Sequence, residues 1–227
     1  GLPPGVFNLV QGDYRCGQTL VEDERVDGVL FTGSTRVGKQ ILAATHDQPH
    51  KLVSLEMGGK NASIVCADAD LDQATKEILN AAYITCGQRC TATSQVYCDT
   101  SLIDALSDRL KRAVPRLPVG DPFAPSTFMG PIIDHGAQSR LLNLTTQARD
   151  AGVETLCEPQ KIEGPGAFLT PGLRVGGWKD HAYFTDEHFG PDLVLIPVRD
   201  ADEGLRRINA LDYGLAAAIF TSDESAF

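Results

Sequence analysis

The chain has 227 residues, 42% hydrophobic and 22% charged, with a net charge of -10 at pH 7 and an isoelectric point near 4.9. That length suits one large domain or parts of two, and the acidity excludes nucleic acid or an anionic membrane as the main partner, because both call for basic surface. No apolar run approaches transmembrane length and no basic-then-apolar leader opens the sequence, so a soluble, cytoplasmic protein is expected.

In chain order, Val29-Leu30-Phe31 is a short apolar run closed by Thr32-Gly33, and Val37, Ile41, Leu42 and Ala44 follow with helical spacing, which reads as strand, tight turn, helix. Leu52 to Leu55 reads as a second strand ending at Glu56, with Gly58-Gly59 as a break, and Asn61 to Cys66 as a third. Asp70 is placed to cap a helix whose apolar positions are Leu71, Ala74, Ile78, Ala81 and Ala82. Thr93 to Cys98 is strand-like, and Ser101 with Asp104 forms a capping-box-like start to a helix carrying Leu102, Leu106, Leu110 and Val114. Pro115 to Pro131, rich in proline and glycine, is expected as an ordered surface loop, followed by a helix from about Gly136 to Ala151 that ends at Gly152. Val153 to Cys157, Leu193 to Val198 and Leu215 to Phe220 read as strands, with a helix near Ala201 to Ala210. Strands alternating with helices predict a largely parallel α/β sheet.

Six cysteines, Cys16, Cys66, Cys86, Cys90, Cys98 and Cys157, are scattered over a long chain, so reduced thiols are expected. No C-x-x-C pair or histidine cluster completes a metal set. The sequence opens on Gly1, has no methionine before Met57 and closes at Phe227, the look of an internal piece of a longer protein.

Four stretches carry chemistry. Gly87-Gln88-Arg89-Cys90-Thr91 lies on a connection between a helix and a strand. A buried structural thiol is the bland reading of Cys90; Gly87, which allows close backbone approach, and the charge of Arg89 favour a reactive one. Gly33-Ser34-Thr35-Arg36-Val37-Gly38-Lys39 sits at a strand-to-helix turn whose backbone N–H groups suit a phosphate. It also satisfies G-x-x-x-x-G-K, but Gln40 stands where a P-loop needs Ser or Thr, and a glycine turn without any ligand is the plain alternative. Glu56, at a strand end before Met57-Gly58-Gly59-Lys60, is either a solvated carboxylate or, if partly buried in a cleft, a general base. In Asp186-Glu187-His188-Phe189-Gly190-Pro191, Glu187 suits a ribose and Phe189 a neighbouring ring, against the alternative of an acidic turn. His188 is expected at the surface or behind the site.

In this order, F-T-G-S-T-x-x-G, L-E-M-G-G-K-N, G-Q-R-C-T and E-H-F-G-P resemble the NAD(P)-dependent aldehyde dehydrogenase superfamily, and the likeness runs over nearly the whole chain. Gly5 to Gly12, Leu55 to Gly59 and Phe168 to Leu173 are most similar to its succinylglutamate semialdehyde dehydrogenase branch, of arginine catabolism. The resemblance implies residues 1–58 as the C-terminal part of a Rossmann-like dinucleotide-binding domain and 59–227 as most of an α/β catalytic domain. It implies Cys90 as nucleophile, passing through a thiohemiacetal and a thioester, and Glu56 as the base that activates water. It places Gly33 and Ser34 at the cofactor pyrophosphate, Gly38 at helix packing, and Glu187 and Phe189 around the nicotinamide ribose and ring. NAD, or NADP, is the implied cofactor, a small aldehyde the substrate, and a homo-oligomer, dimer or tetramer, the assembly. Cys86 has no implied thiol role. Family members carry upstream an asparagine that completes the oxyanion hole, so these 227 residues alone are expected to bind cofactor poorly and to be inactive.

Overall fold

The computed structural model describes residues 1–224 and separates into two compact units, Gly1–Gly58 and Gly59–Phe227. The last three residues of the expected 59–227 domain lie outside the described residues.

The first unit contains α1 (Tyr14–Glu22), β1 (Gly28–Thr32), α2 (Thr35–Thr45) and β2 (Leu52–Glu56). β1 and β2 pair in parallel, with Val29 opposite Val53 and Phe31 opposite Leu55. These alternate residues are half-buried while Leu30 and Leu52 stay exposed, the period-two pattern of a strand with one covered face. α2 lies against β2 through Gly38, where an added Cβ would come within 2.4 Å of the Met57 sulfur. The α1 helix was not expected from the sequence. Its last carbonyls are satisfied by the buried Lys51, whose Nζ donates to Val21 O at 2.6 Å and to Asp23 O at 3.0 Å.

The second unit contains β3 (Asn61–Val65), α3 (Leu71–Tyr83), β4 (Thr93–Asp99), α4 (Ile103–Ala113) and, after a short 3-10 turn, α5 (His135–Asp150). It continues through β5 (Glu154–Cys157), β6 (Lys161–Ile162), β7 (Phe168–Leu169), β8 (Gly172–Val175), α6 (Ala182–Thr185), β9 (Asp192–Val198), α7 (Ala201–Asn209) and β10 (Ala217–Phe220). Six strands form one sheet in the order β10-β3-β4-β9-β8-β5, parallel except for β5 at the edge; β6 and β7 make a separate hairpin.

β3, β4 and β9 are buried along almost their whole length because helices cover both faces of this sheet. On one face α3 and α4 bring Ile78, Tyr83, Leu106 and Leu110 onto Val65, Val96 and Leu195. On the other, Ala148 from α5, Tyr183 and Phe184 from α6 and Ile208 from α7 pack on Ile64, Tyr97, Val194 and Ile196. Each fully buried Leu or Ile contributes roughly 1.5–3 kcal/mol by leaving water. Asp70 caps α3 as expected, accepting from Asp72 N–H and Gln73 N–H.

One expectation fails and one strand was not anticipated, each for an identifiable reason. The capping box at Ser101 does not form: Asp99 takes both the N–H and the hydroxyl of Ser101, and α4 starts after Leu102 without a side-chain cap. Strand β8 sits inside the sheet although its four residues include Arg174, which has no exposed surface. Arg174 lies 3.5 Å from Asp192 Oδ1 and 3.5 Å from Glu158 Oε2, and donates to Thr155 Oγ1 at 2.5 Å. Burial pushes the Asp192 carboxyl upward, and the guanidinium pulls against it. Removing one member of such a buried pair strands the other. Arg174→Met is therefore expected to cost about 3–5 kcal/mol of stability, read as a fall in the urea midpoint, and a loss under about 1 kcal/mol would contradict this account.

Candidate active site

In the second unit, the segments that precede β3, β4 and β9 all enter at the N-terminal edge of the sheet, because the three strands run parallel. These are the segments around Gly59, around Cys90, and Glu187 to Gly190. A shallow crevice there is lined by Gly59, Gly87, Arg89, Thr93, Glu187 and Phe189, among others.

The Cys90 connection is a series of tight turns. Gln88 N–H donates to Thr85 O at 2.9 Å and Ala92 N–H to Arg89 O at 2.9 Å. Gly87 has φ +61, and a Cβ there would fall 2.1 Å from Gly190 O, so only glycine lets the two loops touch. Gln88 Oε1 accepts from Ile133 N–H at 2.8 Å, tying the connection to the segment before α5. Cys90 is a free, half-buried thiol, and its backbone N–H has no acceptor among the described residues. Cys86 is a different kind of thiol. It is buried, its Sγ contacts Gly130 O at 3.1 Å, and burial pushes its pKa up, which makes it inert.

Across the crevice, Glu187 is half-buried and accepts from Gly59 N–H at 3.1 Å. Burial raises its pKa, while that bond and Lys60 pull it down. One carboxylate oxygen is thus committed to the protein. Phe189 has φ +50 and is 39% exposed. It and Cys86 are the only non-glycine residues with positive φ among the described residues, and both flank the crevice, where strained backbone tends to serve a function.

His188 is not at the surface. It is 1% exposed, its Nε2–H donates to Tyr183 O at 2.7 Å, and its carbonyl accepts from Arg140 Nη1 at 3.1 Å. Burial first, and the charge of Lys60 second, hold it neutral. It therefore supports the loop and does not shuttle protons at neutral pH. Glu56, in the first unit, ends β2 with an exposed side chain.

The β1–α2 turn of the first unit fits a dinucleotide pyrophosphate. Ser34 caps α2, its Oγ accepting from Val37 N–H at 3.4 Å, and no acidic side chain occupies the first helical turn. The N–H groups of Thr35 and Arg36 in that turn have no acceptor among the described residues. At Gly33 a Cβ would lie 2.4 Å from the Phe31 ring, so this approach too is kept open by glycine.

The sequence profile of the aldehyde dehydrogenase family matches residues 1–227. The chain is 37% identical over 230 residues to 2-hydroxymuconic semialdehyde dehydrogenase from Pseudomonas putida, covering 98% of this chain and 47% of that one. Methylmalonate-semialdehyde dehydrogenase from Oceanimonas doudoroffii has the same fold, with a TM-score of 0.95 at 30% identity over 100% of this chain and 47% of that one. An NAD-dependent aldehyde dehydrogenase from Sinorhizobium meliloti superposes with a TM-score of 0.95 at 34% identity, over 99% and 45% of the two chains. The chain thus spans about half the length of the relatives it matches.

The site holds one group whose titration is diagnostic. Lys60 is fully buried, donates to Tyr183 O at 2.9 Å and has its pKa lowered from 10.5 to about 7 by burial, against the pull of Asp192, Asp186 and Glu187. An amine depressed in the fold carries its full protonation penalty below about 7 and loses it as pH approaches the unfolded value near 10.4. Stability is therefore expected to rise across that window, and Lys60→Met to remove the rise. Urea midpoints from pH 6.5 to 10 check this, and parallel curves for the two proteins would refute it.

Proposed function

Because this chain belongs to the aldehyde dehydrogenase family, we propose that the complete protein oxidises an aldehyde to its carboxylic acid with NAD, using Cys90 as nucleophile and Glu56 as base. The observation that carries the reading is the turn that presents a half-buried Cys90 thiol beside a backbone N–H with no acceptor among the described residues.

The Cys90 thiolate attacks the aldehyde carbon, forming the S–C bond while the carbonyl pair moves onto oxygen. The Cys90 N–H is available to hold that oxyanion. NAD or NADP, when bound, supplies the acceptor for the hydride that leaves the aldehyde carbon. Gly33 and Ser34 would hold its pyrophosphate, Gly38 would keep α2 close to β2 beneath it, and Glu187 and Phe189 would meet the ribose and ring. Cys90 then carries the acyl group as a thioester. Glu56 takes a proton from water, the resulting hydroxide adds to the thioester carbon, and the C–S bond breaks to return the thiolate and release the acid.

For substrate we favour a semialdehyde, N-succinylglutamate 5-semialdehyde included. Its support is the likeness of residues 5–12, 55–59 and 168–173 to that branch, alongside similar proteins named for other semialdehydes. A homo-oligomer in the cytoplasm completes the reading. The nucleoside triphosphatase alternative for Gly33 to Lys39 is displaced by the family and by Gln40.

Cys90→Ser in the complete protein is expected to lower aldehyde oxidation by at least about 10³-fold while the cofactor Kd stays within about threefold. Oxidation near the parent rate would refute the nucleophile, and a parent protein inert toward a panel of aldehydes would mark a member that keeps the fold alone. Glu56→Gln is expected to retain a rapid burst of reduced cofactor followed by slow turnover; a burst lost as completely as in Cys90→Ser would instead assign the carboxylate to thiol activation.

A further inference from the structure

We infer that Asn61 is a positioning residue for Cys90, a role that rests on the reading of Cys90 as nucleophile. Asn61 is 4% exposed, and both donors and the oxygen of its carboxamide are engaged. Nδ2 donates to Cys90 O at 2.6 Å and to Ala92 O at 3.1 Å, and Oδ1 accepts from Ala216 N–H at 3.0 Å. Asn61 thereby joins the nucleophile turn to the chain entering β10, and it does so from the first residue of β3.

The backbone around it explains why a side chain is needed. The pairing of β3 with β4 slips here: Asn61 stands opposite Thr93, but Ala62 stands opposite Gln95, so Ser94 is the extra residue of a bulge. A bulge leaves ladder groups without their regular partners, and the carboxamide supplies two donors where the strand supplies none. Space for it comes from Gly59, where a Cβ would lie 2.5 Å from Asn61 Oδ1 and 3.0 Å from Cys90 O. Ala92 N–H closes the turn back to Arg89 O at 2.9 Å. Asn61 holds the peptide plane that follows Cys90, while the bond from Ala92 N–H to Arg89 O holds the plane that carries the Cys90 N–H. Between these two planes the Cα–Cβ bond of Cys90 is aimed, and Asn61 fixes one of them while touching neither substrate nor the reacting atoms.

Asn61→Asp is the sharpest test, because it keeps the shape and replaces both donors with an oxygen facing two carbonyls. A misplacement of about 1 Å at a reacting group costs about 10²-fold in rate. In the complete protein, Asn61→Asp is expected to lower kcat by about 10² and to slow the burst of reduced cofactor, with KM and cofactor Kd within about threefold. Alkylation of Cys90 by iodoacetamide, which needs a thiolate but no oriented oxyanion donor, should change by less than about threefold. Asn61→Ser, which keeps one hydroxyl donor, should fall between the two in kcat and covers the case in which the aspartate variant does not fold. An unchanged kcat in either folded variant overturns the inference. So does a loss of kcat matched by an equal loss of alkylation and of cooperative unfolding, or failure of both variants to fold, since each marks a purely structural residue. Cys90→Ser measured beside them separates the two levels: if it remains active the nucleophile reading fails, whereas an inactive Cys90→Ser with fully active Asn61 variants defeats only the positioning role.

Discussion

The second unit depends on three chain segments meeting with almost no side chain between them. Gly59, Gly87 and Gly190 each sit where a Cβ would collide, with Asn61 and Cys90 O, with the Gly190 carbonyl, and with Leu141. Glycine loses more conformational freedom on folding than any other residue, so such a meeting point needs compensation. It comes from polar groups that bind from one segment to another. Asn61 binds two carbonyls and one N–H, Gly59 N–H binds Glu187, and Lys60 and His188 both donate to Tyr183 O. Each such bond adds a net of only about 0.5–1.5 kcal/mol, but leaving one unmade in this setting costs more than making it gains. The cluster is therefore all or nothing, which suits a site that must hold a thiol in one place.

Burial sets the electrostatics in the same region. Lys60, Arg174, His188 and Asp192 are all within a few per cent of complete burial around Tyr183. Desolvation leads the shifts of Lys60, His188 and Asp192, lowering the first two and raising the third. Lys60, His188 and Asp192 are thus biased toward their neutral forms. Cys90, in contrast, sits on a half-exposed turn, and the inert thiols Cys86 and Cys98 lie in the core with raised pKa values. The fold keeps the Cys90 sulfur half-exposed while these two neighbours in sequence are buried.

Much of this was legible in the sequence. Strand-like runs identify β3, β4 and β9, Asp70 marks the start of α3, and Gly33 with Gly38 marks the strand-turn-helix of the first unit, since these signals are local. What escaped was set by distant partners. β8 hides behind Arg174, acceptable in a sheet interior only because Asp192 and Glu158 face it. Asp99 diverts Ser101 from α4, and His188 is drawn inside by a carbonyl that α6 delivers. Phe189 takes a left-handed conformation that nothing in its own sequence demands. Asn61 reads as an ordinary strand start because its partners lie 29, 31 and 155 residues away. Glu56 was legible as a strand-end carboxylate, the solvated alternative included.

The central claim is that Cys90 carries the acyl group between oxidation and hydrolysis. The direct measurement is mass spectrometry of peptides from the complete Glu56→Gln protein, acid-quenched within the first turnover with NAD and a semialdehyde substrate. The account predicts an added acyl mass on the peptide containing Cys90, labile to hydroxylamine as a thioester is, and absent when NAD is omitted. An unmodified Cys90 peptide in protein that has already released one equivalent of reduced cofactor, or the acyl mass on another residue, would contradict it.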